Sequence, residues 1–183
     1  LGEPVLLELV DEVRDLVMSD LDRALAMGEV LRLLSDRLDL PTARARSRSA
    51  WAHALNYANR FDEAIHALVE ASATALEHGD PPEAARASLA KARALARRGR
   101  FDEAVGAGVY AERIFEADRK PELAVRAVTN HAIILRMLGR WGESVDRFDR
   151  ALELACSDPT LSAQIQSNRA ETLLELGRFK DAE

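Results

Sequence analysis

Small and apolar positions return along this chain at a fixed interval of about 40 residues, a period typical of helical repeat arrays. Ala52, Ala92, Ala132 and Ala170 form one column, and Leu55, Leu95, Leu135 and Leu173 follow three positions later. The segment Arg60-Phe61-Asp62-Glu63-Ala64 recurs as Arg100-Phe101-Asp102-Glu103-Ala104, as Arg140-Trp141-Gly142-Glu143-Ser144 and as Arg178-Phe179-Lys180-Asp181-Ala182. Ala71, Ala111 and Ala151 lie seven residues after the motif alanine or serine, and Pro41, Pro81, Pro121 and Pro159 keep nearly the same step. No stretch alternates as a strand would. Self-similarity at this period marks stacked supersecondary units, each unable to bury its apolar face alone.

Each unit reads as two helices. Proline suits the first turn of the first helix, where its missing N–H is not needed. Asp80, Asp158 and Thr42 stand nearby as caps or first-turn acceptors. Leu138-Gly139 and Leu176-Gly177 end first helices with a residue suited to the left-handed position. The aromatic and the acids that follow open the second helix, with negative charge near its positive end. The spacing predicts repeats over about 4–40, 41–80, 81–120 and 121–158, then a partial repeat over 159–183, all in one domain. The first unit is looser, with Glu12 where the others carry a small alanine. The alanine column should let paired helices approach closely. Phe61, Phe101, Trp141 and Phe179 should be buried between neighbouring units. Gly106 and Gly108 interrupt a helix, marking either a close backbone approach or a soft point.

Composition narrows the function classes. The chain has 183 residues, 48% hydrophobic and 31% charged, with only 5% aromatics, which favours helix. Its net charge of −6 argues against nucleic acid as a partner. Cys156 is the sole cysteine, so no internal disulfide can form. No apolar run reaches the roughly 18 residues of a membrane span, and no signal peptide is visible. A soluble cytoplasmic protein that does not act on membranes is expected.

The pattern resembles the tetratricopeptide repeat in its longer variant, with roughly 40 residues per repeat. Leu138-Gly139-Arg140-Trp141, Leu176-Gly177-Arg178-Phe179, Asn130 and Asn168 carry the likeness. It departs just before the small alanine, where Trp51, Lys91, His131 and Arg169 replace the usual leucine. The resemblance implies an all-α solenoid of antiparallel helix pairs in a right-handed superhelix. Its first helices would line a concave, non-catalytic groove for peptides or protein segments. The chain opens without methionine and stops just after a second helix begins, which reads as a fragment of a longer protein. Alanine- and arginine-rich arrays of this kind also resemble regulatory arms of bacterial effectors, such as caspase-like CHAT proteases or ATPase-type transcription regulators. The incomplete end could support self-association.

Little in the sequence points to catalysis or to a cofactor. His53, His66, His78 and His131 do not form a metal-ligand pair at helical spacing, so each reads as a satisfied or exposed helix histidine. Cys156 has no histidine nearby in sequence. Gly106-Ala107-Gly108 follows no strand, which excludes a phosphate loop. The acid pairs Asp62-Glu63 and Asp102-Glu103 recur with the repeat, as helix starts would and catalytic acids would not. Arg44, Arg46 and Arg48 alternate and share no face. Arg97, Arg98 and Arg100 sit where a helix ends and basic residues favour the dipole.

One column stands apart. Arg46, Arg86 and Arg126 fall six residues before each small alanine, toward the helix start, where positive charge gains nothing from the dipole. By resemblance this position faces the groove. His53 and Asn56 continue that face in one unit, Arg93 and Arg97 in the next, Thr129 and Arg136 in the third. Asn56, Asn130 and Asn168 are candidates to hold a peptide backbone. Two readings stand side by side: a basic groove for an acidic segment, or solvated arginines paired locally, with Glu83 reaching Arg86 and Glu122 reaching Arg126. Arg46 has no such upstream partner.

Overall fold

A computed structural model describes residues 2–155 and 158–177. Cys156 and the last motif with Phe179 lie outside the described residues. The described residues form nine α-helices and no strand: α1 Glu3–Leu16, α2 Leu21–Arg37, α3 Pro41–Tyr57, α4 Phe61–Glu77, α5 Pro81–Arg97, α6 Phe101–Ala117, α7 Pro121–Met137, α8 Trp141–Leu154 and α9 Pro159–Glu175. This is the all-α solenoid of helix pairs that the repeat predicts. None of the described helices is long and apolar enough to cross a membrane.

Proline opens α3, α5, α7 and α9 at the first helical residue, and the motif aromatic opens α4, α6 and α8. A finer interval lies inside the repeat. Every helix from α2 to α7 has 17 residues. Their starts are evenly spaced, at Leu21, Pro41, Phe61, Pro81, Phe101 and Pro121, and Trp141 of α8 keeps the step. The intervening turn positions Asp39, Asn59, Gly79, Gly99, Arg119 and Gly139 all take positive φ, between 51° and 73°. In this geometry the next N–H reaches back to a carbonyl five residues earlier, as from Arg60 to Leu55 at 2.9 Å and from Arg140 to Leu135 at 3.0 Å.

Caps fix the starts. Asp20, Asp80 and Asp158 accept from backbone N–H groups of α2, α5 and α9 at 3.0–3.1 Å. Thr42, expected as a cap or first-turn acceptor, lies inside the first turn of α3, and the side chain of the helix's own cap residue makes no bond there. Glu3 of α1 substitutes, accepting from the Ala43 N–H at 3.1 Å. The motif arginines stand at the N-cap of α4, α6 and α8 and fold onto the glutamate three residues on. Arg60 donates to both oxygens of Glu63 at 2.7 and 2.6 Å, Arg100 to Glu103 at 2.7 and 2.8 Å, and Arg140 to Glu143 at 2.7 and 2.5 Å. These bonds hold the Glu63 and Glu143 carboxyls below the ordinary carboxylate range and raise the Arg60 and Arg140 guanidiniums. Arg100 thus belongs to the start of α6, not to the end of α5.

The chain divides into two compact units, residues 1–98 and 99–183. In the first, neighbours pack in sequence and α3 also touches α1 and α5 directly. Its core is built largely of alanine, with Ala52, Ala64, Ala67, Ala71 and Ala87 around Leu55 and Leu68. Gly28 gives Trp51 its place: a Cβ there would meet Trp51 at 3.1 Å, and Arg32 lies over that ring at 5.1 Å. In the second unit α6 to α9 pack in sequence and α7 touches α9. Its core holds Val125, Val128, Phe148 and Ile165, and Phe115 is also fully buried.

The small columns are largely where the repeat places them: Ala52, Ala92 and Ala132 are buried, as are Leu55, Leu95, Leu135 and Leu173, while Ala170 is half-buried. The motif aromatics are not. Phe61 and Phe101 are half-buried and Trp141 is 38% exposed. Each is the first residue of its helix, so its side chain sits at the edge of the packed core, and burial begins at Ala64, Ala104 and Ser144. Gly106 is exposed with open space around a built Cβ, while Gly108 is buried with His131 Cβ at 3.7 Å. A side chain at Gly106 would meet solvent, and one at Gly108 would make only ordinary contact with His131, so neither glycine is required by a close backbone approach.

Candidate functional site

The first-helix face of the first unit gathers most of the candidate residues. Glu83, in the first turn of α5, is only 2% exposed. Arg86 donates to its Oε2 at 3.2 Å, Arg46 Nε stands 3.8 Å from the same oxygen, and the Ser49 hydroxyl donates to Oε1 at 3.4 Å. Arg46 therefore does have a partner, supplied from α5 of the next repeat. One buried carboxylate is shared by two guanidiniums of one column, so the second reading, of paired arginines, describes this end of the face.

Further along both helices a cleft of about 310 Å³ opens. Asn56, Tyr57, Asn59, Phe61, Arg93, Ala94 and Arg97 line it. Asn56 lies in the last turn of α3 with its amide oxygen and nitrogen both shielded from solvent and without a hydrogen-bond partner. His53 packs edge-on to Tyr57 at 5.1 Å, behind that wall residue. Arg93 and Arg97 are one turn apart and exposed. Asn56, Arg93 and Arg97 are the groove candidates that the sequence supplies to this cleft. Phe61 enters because it is only half-buried, which turns the motif aromatic from a core plug into a wall of the cleft.

The second unit treats the same columns differently. Arg126 is exposed and forms no ion pair among the described residues. Thr129 has a shielded hydroxyl without a partner, and Asn130 is half-buried. Arg136 is held by Glu171 of α9 in a short ion pair. Asn168 donates to the Gln164 carbonyl of its own helix at 3.0 Å, so its amide is engaged locally rather than presented.

This unit also holds a buried polar cluster without a local signal in the sequence. His131 Nδ1 lies 2.7 Å from Glu112 Oε1, with both side chains under 10% exposed, and Arg147 donates to the other Glu112 oxygen at 3.2 Å. The three sit on three different helices, α7, α6 and α8. His131 is thus a satisfied helix histidine. Among the described residues no group of three or more His, Cys, Asp or Glu is placed to hold a metal ion.

Residues 49–128 match the family model of the tetratricopeptide repeat. That segment is identified as tetratricopeptide repeat, and the fold of the described residues is an α-solenoid of the same kind. The fold is similar to kinesin light chain TPR-like repeats from Podosopora anserina, with a TM-score of 0.82 at 17% identity over 100% of this chain and 92% of that one. It is similar to BtubC from P. vanneervenii, with a TM-score of 0.72 at 17% identity over 98% and 84%. A Rap protein complexed with competence and sporulation factor gives a TM-score of 0.71 at 16% identity over 94% and 61%. No curated protein matches the chain. The matched segment runs from Ser49 to Val128, so it includes the α3–α5 cleft.

Proposed function

We propose that this repeat protein is a non-catalytic protein-interaction module that takes an extended acidic peptide or protein segment along the α3–α5 face. The observation that carries the reading is the Asn56 amide, a donor and an acceptor without partners beside a cleft. A side-chain amide can pair with both the C=O and the N–H of an extended peptide backbone. Leaving those groups unpaired costs about 1–3 kcal/mol each, and rotation of the amide out into the cleft to meet a bound backbone would recover that. Arg93 and Arg97 stand on the same cleft, and a guanidinium suits bidentate bonds to carboxylates. Tyr57 and Phe61 supply apolar walls. Arg46 and Arg86 extend the face, with Glu83 fixing their positions; Arg126, Asn130 and Arg136 are the matching residues of the second unit. That a protein of similar fold has been solved in complex with competence and sporulation factor supports the class of activity.

Fluorescence anisotropy with labelled acidic, neutral and basic peptides tests the reading. Acidic peptides should bind best and should weaken with salt, since exposed charges are screened over about 10 Å at 0.1 M. Replacing Arg93 and Arg97 together by alanine should weaken acidic-peptide binding by about 2–4 kcal/mol. Equal binding of neutral and acidic peptides, or an unaffected double variant, would remove the acidic-groove reading.

A further inference from the structure

Helix α2 carries two lines of residues with the same spacing. Ala24, Gly28, Leu31 and Ser35 face inward and are buried. Ala26, Val30, Leu33 and Arg37 repeat the 4-3-4 spacing on another face and are all exposed. Val30 is 53% and Leu33 52% exposed, well above what a side chain on a packed helix face retains. Around them is a shallow hollow of about 660 Å³ lined by Val30, Leu33, Leu34, Asp36 and Arg37, all from α2 itself. A solvent-facing helix needs one apolar line; the second has no partner within the described chain.

Charge decides what fits it. Glu29 stands four residues before Leu33 and Arg37 four after, one helical turn to either side. Both are exposed, and neither forms a hydrogen bond or ion pair among the described residues. The field of Glu29 reaches Arg60, but Arg60 is already engaged by both oxygens of Glu63. We propose that this face of α2 docks onto α2 of a second copy of the chain, antiparallel, with the two-fold axis at Leu33. That axis sets Glu29 of each copy against Arg37 of the other and Leu33 against Leu33, so two ion pairs flank a Leu33–Leu33 contact, with Val30 of each copy beside it opposite position 36 of the other. An isologous contact satisfies both signs at once, which a partner helix of single charge could not do. One helix face from each copy is smaller than a standard interface, so the dimer is weak and reversible. It is separate from the α3–α5 cleft and stands or falls independently of it.

Sedimentation equilibrium of the whole chain, from about 1 to 500 µM, reads the association directly. The chain should pass from monomer to dimer within that range. Glu29→Arg alone and Arg37→Glu alone should each weaken dimerisation about tenfold or more, and the double reversal should restore it to within about threefold. Leu33→Lys should abolish it, with circular dichroism showing an unchanged helix content. A chain that stays monomeric throughout, or a dimer indifferent to Leu33→Lys, overturns the proposal. A double reversal no better than the singles overturns the antiparallel pairing.

Discussion

The two compact units solve the same packing problem with different residues. Residues 1–98 stack α3, α4 and α5 on alanine, and α5 alone buries Ala84, Ala85, Ala87, Ala92, Ala94 and Ala96. Residues 99–183 fill the corresponding space with Phe115, Phe148, Val125 and Ile165. Alanine contributes little area, so in α3 to α5 close helix approach and polar straps such as Glu83 with Arg46 and Arg86 stand beside the burial of Leu55 and Leu68. The large side chains of the second unit contribute about 1.5–3 kcal/mol each on burial. Its arginine column is correspondingly less tied: Arg126 lies open, while the ion-paired Glu112 sits inside. A repeat can thus keep its backbone period while moving its charge between face and interior.

The sharpest way to break this contrast is to empty the larger core. Phe148→Ala and Phe115→Ala should each destabilise by about 3–5 kcal/mol in urea unfolding. Trp141→Ala, at an edge position 38% exposed, should cost far less. A Trp141 effect as large as that of Phe148 would return the motif aromatic to the core.

The buried cluster comes next. Glu112→Ala leaves His131 without its partner and should cost about 2–3 kcal/mol. A double cycle with His131→Leu should recover part of that loss, because the orphaned polar group is then gone. Gly106→Ala should act in the other direction, stabilising by about 0.5–1 kcal/mol, since a Cβ there meets open space within a helix. No gain would mean that the glycine serves something other than chain geometry.

The smallest effect concerns acid. Glu63 and Glu143 have folded pKa values depressed by the Arg60 and Arg140 hydrogen bonds. Their contribution is therefore present above the ordinary glutamate pKa and fades as pH falls through the lowered folded values. Replacing both arginines by alanine should flatten the acid side of a melting-temperature profile slightly and leave the neutral side little changed. Both pairs are exposed to solvent, so the shift is small.

What the sequence makes legible is periodic. Prolines, small alanines and the Leu55 column each need one local environment, and each repeats, so position alone locates them. Orientation is less legible. The motif aromatic is bound to open a helix, but whether a first-turn side chain points inward depends on where the neighbouring helix ends. Glu83 is visible as a partner of Arg86 three residues away, yet its second partner, Arg46, belongs to the preceding repeat and meets it only when α3 and α5 pack. Glu112, His131 and Arg147 leave no local trace, since their separations match no helical spacing. The one hint is His131 standing where Trp51, Lys91 and Arg169 stand in the other repeats. Asn56, Arg93 and Arg97 are reached through the likeness to a family groove, and the structure brings them to one cleft.

The even spacing of the turns has a mechanical consequence. Each helical hairpin from α2 to α7 stores the same length of chain between equivalent turn positions. Pulled from its ends, such a chain would lengthen in near-equal steps, each releasing on the order of 130 Å of contour. The step length would be set by the turn interval, while the force at each step would follow the core behind it. A tether built this way reports tension in countable increments.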